Sequence, residues 1–444
     1  MSVIEQRSHW QKTQKDSLHT LASHMLDLAK QEGADHATIS GSTSITDKVV
    51  IESYDLNLAY TTEETILSLS LICNQKQASA TVNTTDPQRL RETIRKTLQI
   101  AKHSARDDDL VIAPKSDNVT TLPFINQDSL LKLSLQDLLE ASMTSLSYWN
   151  HQYFSPDRLE TSLDTSVHVM MNSNGLVRDE LSTITDWGFA GFCRDDEHVS
   201  SVDYDGGFSH TSFQPLTEHA KSFQSHVLKG LNPQTLTRTP RLVLITPRAM
   251  DDFLLDPILY HLNGSILRDK KSKWPTQGEK VLPSSIHITE NPHQRDFRDA
   301  TSWDHDGLAT YPQILINHGC VSQHIHNCHT AKSLQTTPSG LAGGPFGLKM
   351  HGGQDSLDNL MHTEYVLVIE RFSGHIDPLT GDFSGVAKNS YTIDKQIQTP
   401  ITETMVSGNL FKALENIQGL SQETINISGS YESPYVLMSS IQIS

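Results

Sequence analysis

The densest concentration of chemically capable side chains is the stretch 318–329, which holds His318, Cys320, His324, His326, Cys328 and His329. Imidazole and thiolate are ligands for zinc and its neighbours, and on a strand Cys320, His324 and His326 would share one face. Such a centre needs about four convergent donors and a supporting layer behind them. The plainer reading is a surface strand in a histidine-rich chain, with Cys328 packing against Ala331 at a helix start. A second segment, Thr380-Gly381-Asp382-Phe383-Ser384-Gly385, offers two glycines that permit positive φ or close backbone approach. Its Asp382 and Ser384 can satisfy turn N–H groups, so a tight structural turn competes with any functional role. Asp304 and Asp306, in Trp303-Asp304-His305-Asp306-Gly307, read as a structural loop before they read as a carboxylate pair.

Other chemistries lack their residues. The glycine-rich run from Gly340 to Gly347 has no Gly-Lys-Ser/Thr to cradle a phosphate, and a flexible loop is expected there. No Gly-x-Ser-x-Gly elbow supports a serine hydrolase. A formal net charge of −17 opposes a polyphosphate backbone, and the densest basic run, Arg268 to Lys273, is one short loop. Direct nucleic-acid binding is therefore not expected. Met1 to Lys15 is polar without an apolar core, so no signal peptide is expected, and no stretch is apolar enough to span a bilayer. Four scattered cysteines suggest no disulfide framework and fit a reduced, cytoplasmic setting.

The elements that must position these residues divide the 444-residue chain into three. Leu18, Leu21, Met25 and Leu28 mark one face of a first helix, with Gly33 as its stop. A strand follows at Thr65 to Cys73. Asp86-Pro87 then reads as N-cap and first residue of a helix carrying Leu90, Ile94, Leu98 and Ala101. Arg106 to Asp109 looks like linker. A second unit opens with a helix over 130–146 and a hairpin turning at Asn172-Ser173-Asn174-Gly175. A helix near 217–231 closes it, and linker-like residues 232–240 lead to a strand at Leu242 to Ile245. The fold class expected is α+β: two small N-terminal α+β units, 1–105 and 106–231, then a larger β-rich C-terminal domain, 232–444.

Several strings, in order along the chain, resemble the TldD/TldE (PmbA) metallopeptidase family. These are Leu28 to Asp35, Asn172 to Gly175, and Asn317-His318-Gly319-Cys320 with Thr330-Ala331-Lys332 and Ser339-Gly340. Further on come Gly374-x-x-Asp377, Thr380 to Gly385, and Ser407-Gly408-Asn409-Leu410. The family pairs a zinc-bearing subunit with one that lacks zinc. The zinc subunit carries an HExxxH helix early in its last domain and a cysteine further on; its glutamate takes a proton from metal-bound water. None of the 22 histidines here is followed by Glu. The stretch Pro247 to Asp256, where that helix falls, holds no histidine, the next being His261, and Ser407 to Leu410 lacks the cysteine.

The resemblance thus implies the zinc-free, TldE/PmbA-like side: no catalytic residues of its own, no cofactor, and no activity alone. It implies pairing with a TldD-like zinc subunit around a chamber for unfolded peptides, which bind as an added strand. A homodimer is expected when the chain is alone. The peptide groove or subunit contact is expected at Thr380, Gly381, Asp382, Phe383, Ser384, Gly385 and Asn409. Two rivals remain: an independent metalloenzyme built on the 318–329 cluster, and a regulatory binding protein acting on gyrase or on a toxin–antitoxin pair.

Overall fold

The computed structural model describes residues 2–116, 119–362 and 365–444. Helix α1 (Val3–Gln31) starts well before the apolar stripe, because Ser2 and Glu5 form a capping box. It buries Leu18, Ala22, Met25, Leu28 and Ala29, and ends ahead of Gly33, whose φ is +99°. Strands β1 (His36–Glu52), β2 (Asp55–Ile72) and β3 (Gln77–Val82) follow. Asp86 then accepts the Arg89 N–H at 2.8 Å and opens α2 (Pro87–His103). The single helix expected over 130–146 is two, α3 (Asp128–Leu131) and α4 (Leu135–Leu146). Ser134 restarts the helix through its own capping box with Asp137.

The turn at Asn172 to Gly175 joins two long strands, β4 (Phe154–Asn172) and β5 (Val177–Cys193), followed by β6 (Asp203–Ser209) and α5 (Thr217–Leu228). All six strands form one antiparallel sheet in the order β3-β2-β1-β4-β5-β6. It draws strands from both sides of residue 105, with β1 pairing β4 from Thr38 opposite Asn172 to Glu52 opposite Arg158. One face buries Leu159, Leu163, Val167 and Val169 of β4 under the helices. Each such side chain contributes about 2 kcal/mol of burial. The other face is polar: Ser42, Ser44 and Thr46 of β1 stand opposite His168, Ser166 and Asp164 of β4.

The C-terminal region is β-rich. It runs β7 (Leu242–Ile245), α6 (Asp256–Leu262), α7 (Gly264–Arg268), β8 (Ile288–Glu290), β9 (Gln313–Asn317), β10 (Cys320–Val321), α8 (Cys328–Ser333), β11 (Leu348–Met350) and α9 (Leu357–Met361). It continues through β12 (Val366–Ile369), β13 (Arg371–Ile376), β14 (Asp382–Lys388), β15 (Tyr391–Asp394), β16 (Ile397–Pro400) and β17 (Thr404–Asn409). It ends with α10 (Leu410–Glu415), β18 (Ile417–Ile427), β19 (Tyr431–Met438) and β20 (Ile441–Ile443). Ten strands make a mixed sheet, β10-β9-β8-β11-β19-β7-β12-β15-β16, with β18 also on β19. Four make a smaller sheet, β13-β14-β17-β20, which leaves β13 at an edge. The fold is α+β, as expected from the sequence, and its β-rich region packs one large core from Val243 to Ile441.

Candidate functional site

A cleft of about 1070 Å³ lies between α6–α7 and the edge strand β13. Tyr260 and Asn263 line one side, while Ser373, Gly374 and His375 of β13 line the other. On its second side β13 has no strand partner among the described residues, so its backbone is a template for another strand. Ser373, Gly374 and His375 are all exposed.

One end of β13 is tied to the six-stranded sheet. Arg371 is ion-paired to Asp203 at 3.3 Å, its guanidinium lies 3.8 Å over the Tyr204 ring, and it donates to the Tyr204 carbonyl. His226 reaches the same carboxylate at 3.0 Å. Burial alone would raise Asp203, but the His226 hydrogen bond and the charges of Arg371, His226 and Arg248 hold it down to about 2.

The turn 377–381 closes the hairpin of β13 and β14, and Asn409 lies against it. Gly381 turns the chain at φ +84°, and a Cβ there would come within 2.4 Å of the Phe411 ring. Asn409 caps α10 through Lys412 N and donates to Thr380 O at 3.0 Å and Asp382 Oδ1 at 2.8 Å. Thr380, Gly381, Asp382 and Asn409 are therefore gathered in one hydrogen-bonded turn. Phe383, Ser384 and Gly385 lie apart from it on β14, between β13 and β17, where the backbone already has ladders on both sides. Phe383 is buried against Phe253 and Phe372. The open backbone beside this turn, on β13, was not singled out from sequence. Edge position is a property of sheet order, and no residue pattern in Arg371 to Ile376 encodes it.

The stretch that would have to carry zinc ligands is packed with apolar side chains. A 3₁₀ turn at Pro247–Ala249 and a π-helical turn at Asp251–Leu255 lead into α6. Met250, Phe253, Leu254 and Leu255 are each fully buried. His261 is buried among Trp274, Phe411 and Tyr260; burial first, then the Lys273 charge, pushes it down to about 4.

The 318–329 cluster splits three ways. His324 and His326 are buried, and His324 Nε2 donates to the Trp274 carbonyl at 2.8 Å. Burial first, then the neighbouring His324, takes His326 down to about 4. His318 is exposed and stacks on His287 at 4.9 Å. His329 faces the other way: it bonds Asp107 at 2.8 Å and accepts from Arg268 at 3.3 Å. The linker Arg106 to Asp109 is thereby fastened to α8, where Lys332 also holds the Asp108 carbonyl. Cys328 is buried, and its backbone N–H donates to Asp306 at 2.6 Å. Among the described residues no three His, Cys, Asp or Glu side chains converge as a metal site. The described side chains therefore do not fit a zinc centre at either place.

The remaining acidic and glycine motifs serve the loops. Asp304 is fully buried and accepts from the N–H groups of Asp306, Leu308 and Ala342. Burial first, then Asp306, pushes it up to about 6. Glu290 takes the Phe346 and Gly347 N–H groups at 2.7 and 2.8 Å and holds the glycine-rich run in place.

Residues 240–444 match the family described as PmbA/TldA metallopeptidase C-terminal domain. The chain is 22% identical to a metalloprotease PmbA homolog of Haemophilus influenzae, with 100% of each chain covered. It is 21% identical to metalloprotease PmbA of Escherichia coli O157:H7, over 94% of this chain and 93% of that one. The crystal structure of TldE from Thermococcus kodakarensis superposes with a TM-score of 0.83 at 16% identity, covering 96% of this chain and 100% of that one. Among the described residues no helix is long and apolar enough to cross a membrane.

Proposed function

Because the chain belongs to the TldD/TldE (PmbA) family, we propose that it is the zinc-free partner subunit of a TldD-type metallopeptidase in the cytoplasm. One observation carries this reading. Where the zinc helix of such an enzyme is expected, this chain has no His-Glu pair and uses Met250, Phe253, Leu254 and Leu255 as core. Zinc activates a water only when convergent ligands hold it, and apolar packing cannot supply them. Proteolysis then depends on a TldD-like subunit that has the HExxxH ligands.

This chain contributes walls and backbone to a chamber for unfolded peptides. The edge of β13 suits an extended peptide, because main-chain hydrogen bonds give affinity with little demand on sequence. The turn Thr380 to Asp382 with Asn409, and the adjoining Phe383, Ser384 and Gly385, shape that hairpin or meet the partner subunit. Alone, the chain forms a homodimer.

The test is elemental analysis of the purified chain beside a peptidase assay, each with and without an HExxxH-bearing homologue. We expect less than stoichiometric zinc and no cleavage from the chain alone, and cleavage when both subunits are mixed. One tightly bound zinc per chain together with chelator-sensitive cleavage would falsify the reading.

A further inference from the structure

The polar face of the six-stranded sheet meets loops 298–305 and 343–346 across a cavity of about 550 Å³. This is a volume that holds a side chain or small ligand. Asp164 of β4 and Glu180 of β5 line it from adjacent strands, with Asp299 from the facing loop. The one Lys or Arg among the lining residues, Arg298, is ion-paired to Asp186. Asp164 accepts the Thr46 hydroxyl at 2.8 Å, and Glu180 accepts Ser302 Oγ at 3.2 Å.

His168, directly opposite Glu180, is held below its usual value by burial, against the pull of Asp164. Trp303 and Phe346 supply apolar ring surface in the same wall. His210, also in that wall, is 5% exposed. Its Nε2 donates to the carbonyls of Phe297 and Arg298, while Nδ1 is buried and makes no hydrogen bond among the described residues.

We propose that this cavity is a binding site for a cationic head group, the ammonium or guanidinium of a basic side chain on an unfolded peptide. A guest with positive charge and N–H donors answers carboxylates that form no ion pair with Lys or Arg among the described residues, and ring surface adds a cation–π contact. An anion would meet Asp164 and Asp299, while an apolar guest would leave Glu180 desolvated and unpaired. Burial already pushes the Glu180 carboxyl up to about 7, against the Ser302 hydrogen bonds, as expected for an acid with no counter-charge. That the head group arrives on a peptide rests on the function proposed above; the cationic chemistry does not.

The experiment uses the full chain without any partner, so it succeeds or fails independently of subunit assembly. Isothermal titration at a pH about one unit above the Glu180 value compares N-acetyl-arginine amide, N-acetyl-lysine amide, the citrulline analogue and spermidine. We expect the arginine and lysine amides to bind about tenfold more tightly than citrulline, and Glu180→Gln to remove most of that difference. Glu180→Gln removes a desolvated carboxylate, so its melting temperature should not fall. Should it fail to fold, Asp164→Asn carries the same expectation. Citrulline binding as well as arginine, or unchanged discrimination in the folded variant, overturns the site. Spermidine binding more tightly than both amides overturns the peptide source and moves the ligand to a free polyamine.

Discussion

The two strands of one hairpin, β13 and β14, differ in nearly everything that decides what a backbone can do. β14 carries the conspicuous sequence, Asp382 to Gly385 with Gly381 at its door, and it is saturated. It pairs with β13 on one side and β17 on the other, while Asn409 closes the turn with two side-chain bonds. β13 contributes only Gly374 to the recognisable strings, yet it faces a wide cleft and, among the described residues, keeps one side of its ladder free. Glycine and Asx residues marked the place where the chain closes on itself. The place left open to a partner was marked only by which strands lay beside it.

The largest effect should come from breaking the closed side. Gly381→Val would put a β-branched residue at φ +84° with its Cβ within 2.4 Å of Phe411. A cost of about 3 kcal/mol is expected, seen as a drop of several degrees in the thermal melt. A melt equal to that of the parent would mean the turn has slack that the geometry denies.

Next comes the anchor of the open strand. Asp203 has a folded-state value of about 2 against a usual 3.8. Being depressed, it adds stability that is complete above about pH 4 and is lost as pH falls toward 2. The shift corresponds to about 2 kcal/mol. Asp203→Asn should lose that amount near neutrality and flatten the acid limb in that window. An unchanged acid limb in denaturant titrations would detach β13 from this ion pair.

A smaller effect sharpens the contrast directly. A saturating unfolded peptide should slow amide exchange on β13, at Ser373 to His375, by about tenfold, and leave Phe383 to Val386 nearly unchanged. Equal protection on both strands would argue for general tightening over strand addition. The smallest effect belongs to the cluster that looked most like a metal site. Replacing His324 and His326 together by Ala should leave zinc content and the turnover of a reconstituted two-subunit enzyme within a few-fold of normal. Total loss of turnover in a folded double variant would restore a chemical role to them.

Much of the local structure was legible. The Asp86-Pro87 start of α2, the turn at Asn172 to Gly175, the strand at Leu242 to Ile245 and the absence of any His-Glu pair all follow from adjacent residues. Such signals act over one or two turns of chain, through caps, forced dihedrals and side-chain period. The break at Ser134 was equally local but hidden inside an apolar run that continued across it.

What the tertiary structure alone decided has a common cause: it depends on pairs far apart in sequence. Residues 36–52 pair with 154–172 in one sheet, although the chain between them reads as a boundary. His318, His324 and His329 stand eleven residues apart at most, yet a strand end, a buried bend and a helix point them at His287, Trp274 and Asp107. Spacing along the chain limits which donors can converge, but the direction of each side chain is set by the element that carries it. Likewise Arg371 to Ile376 became an edge because β14 took one side and nothing described took the other. Strand order is a global property of packing, and no single segment contains it.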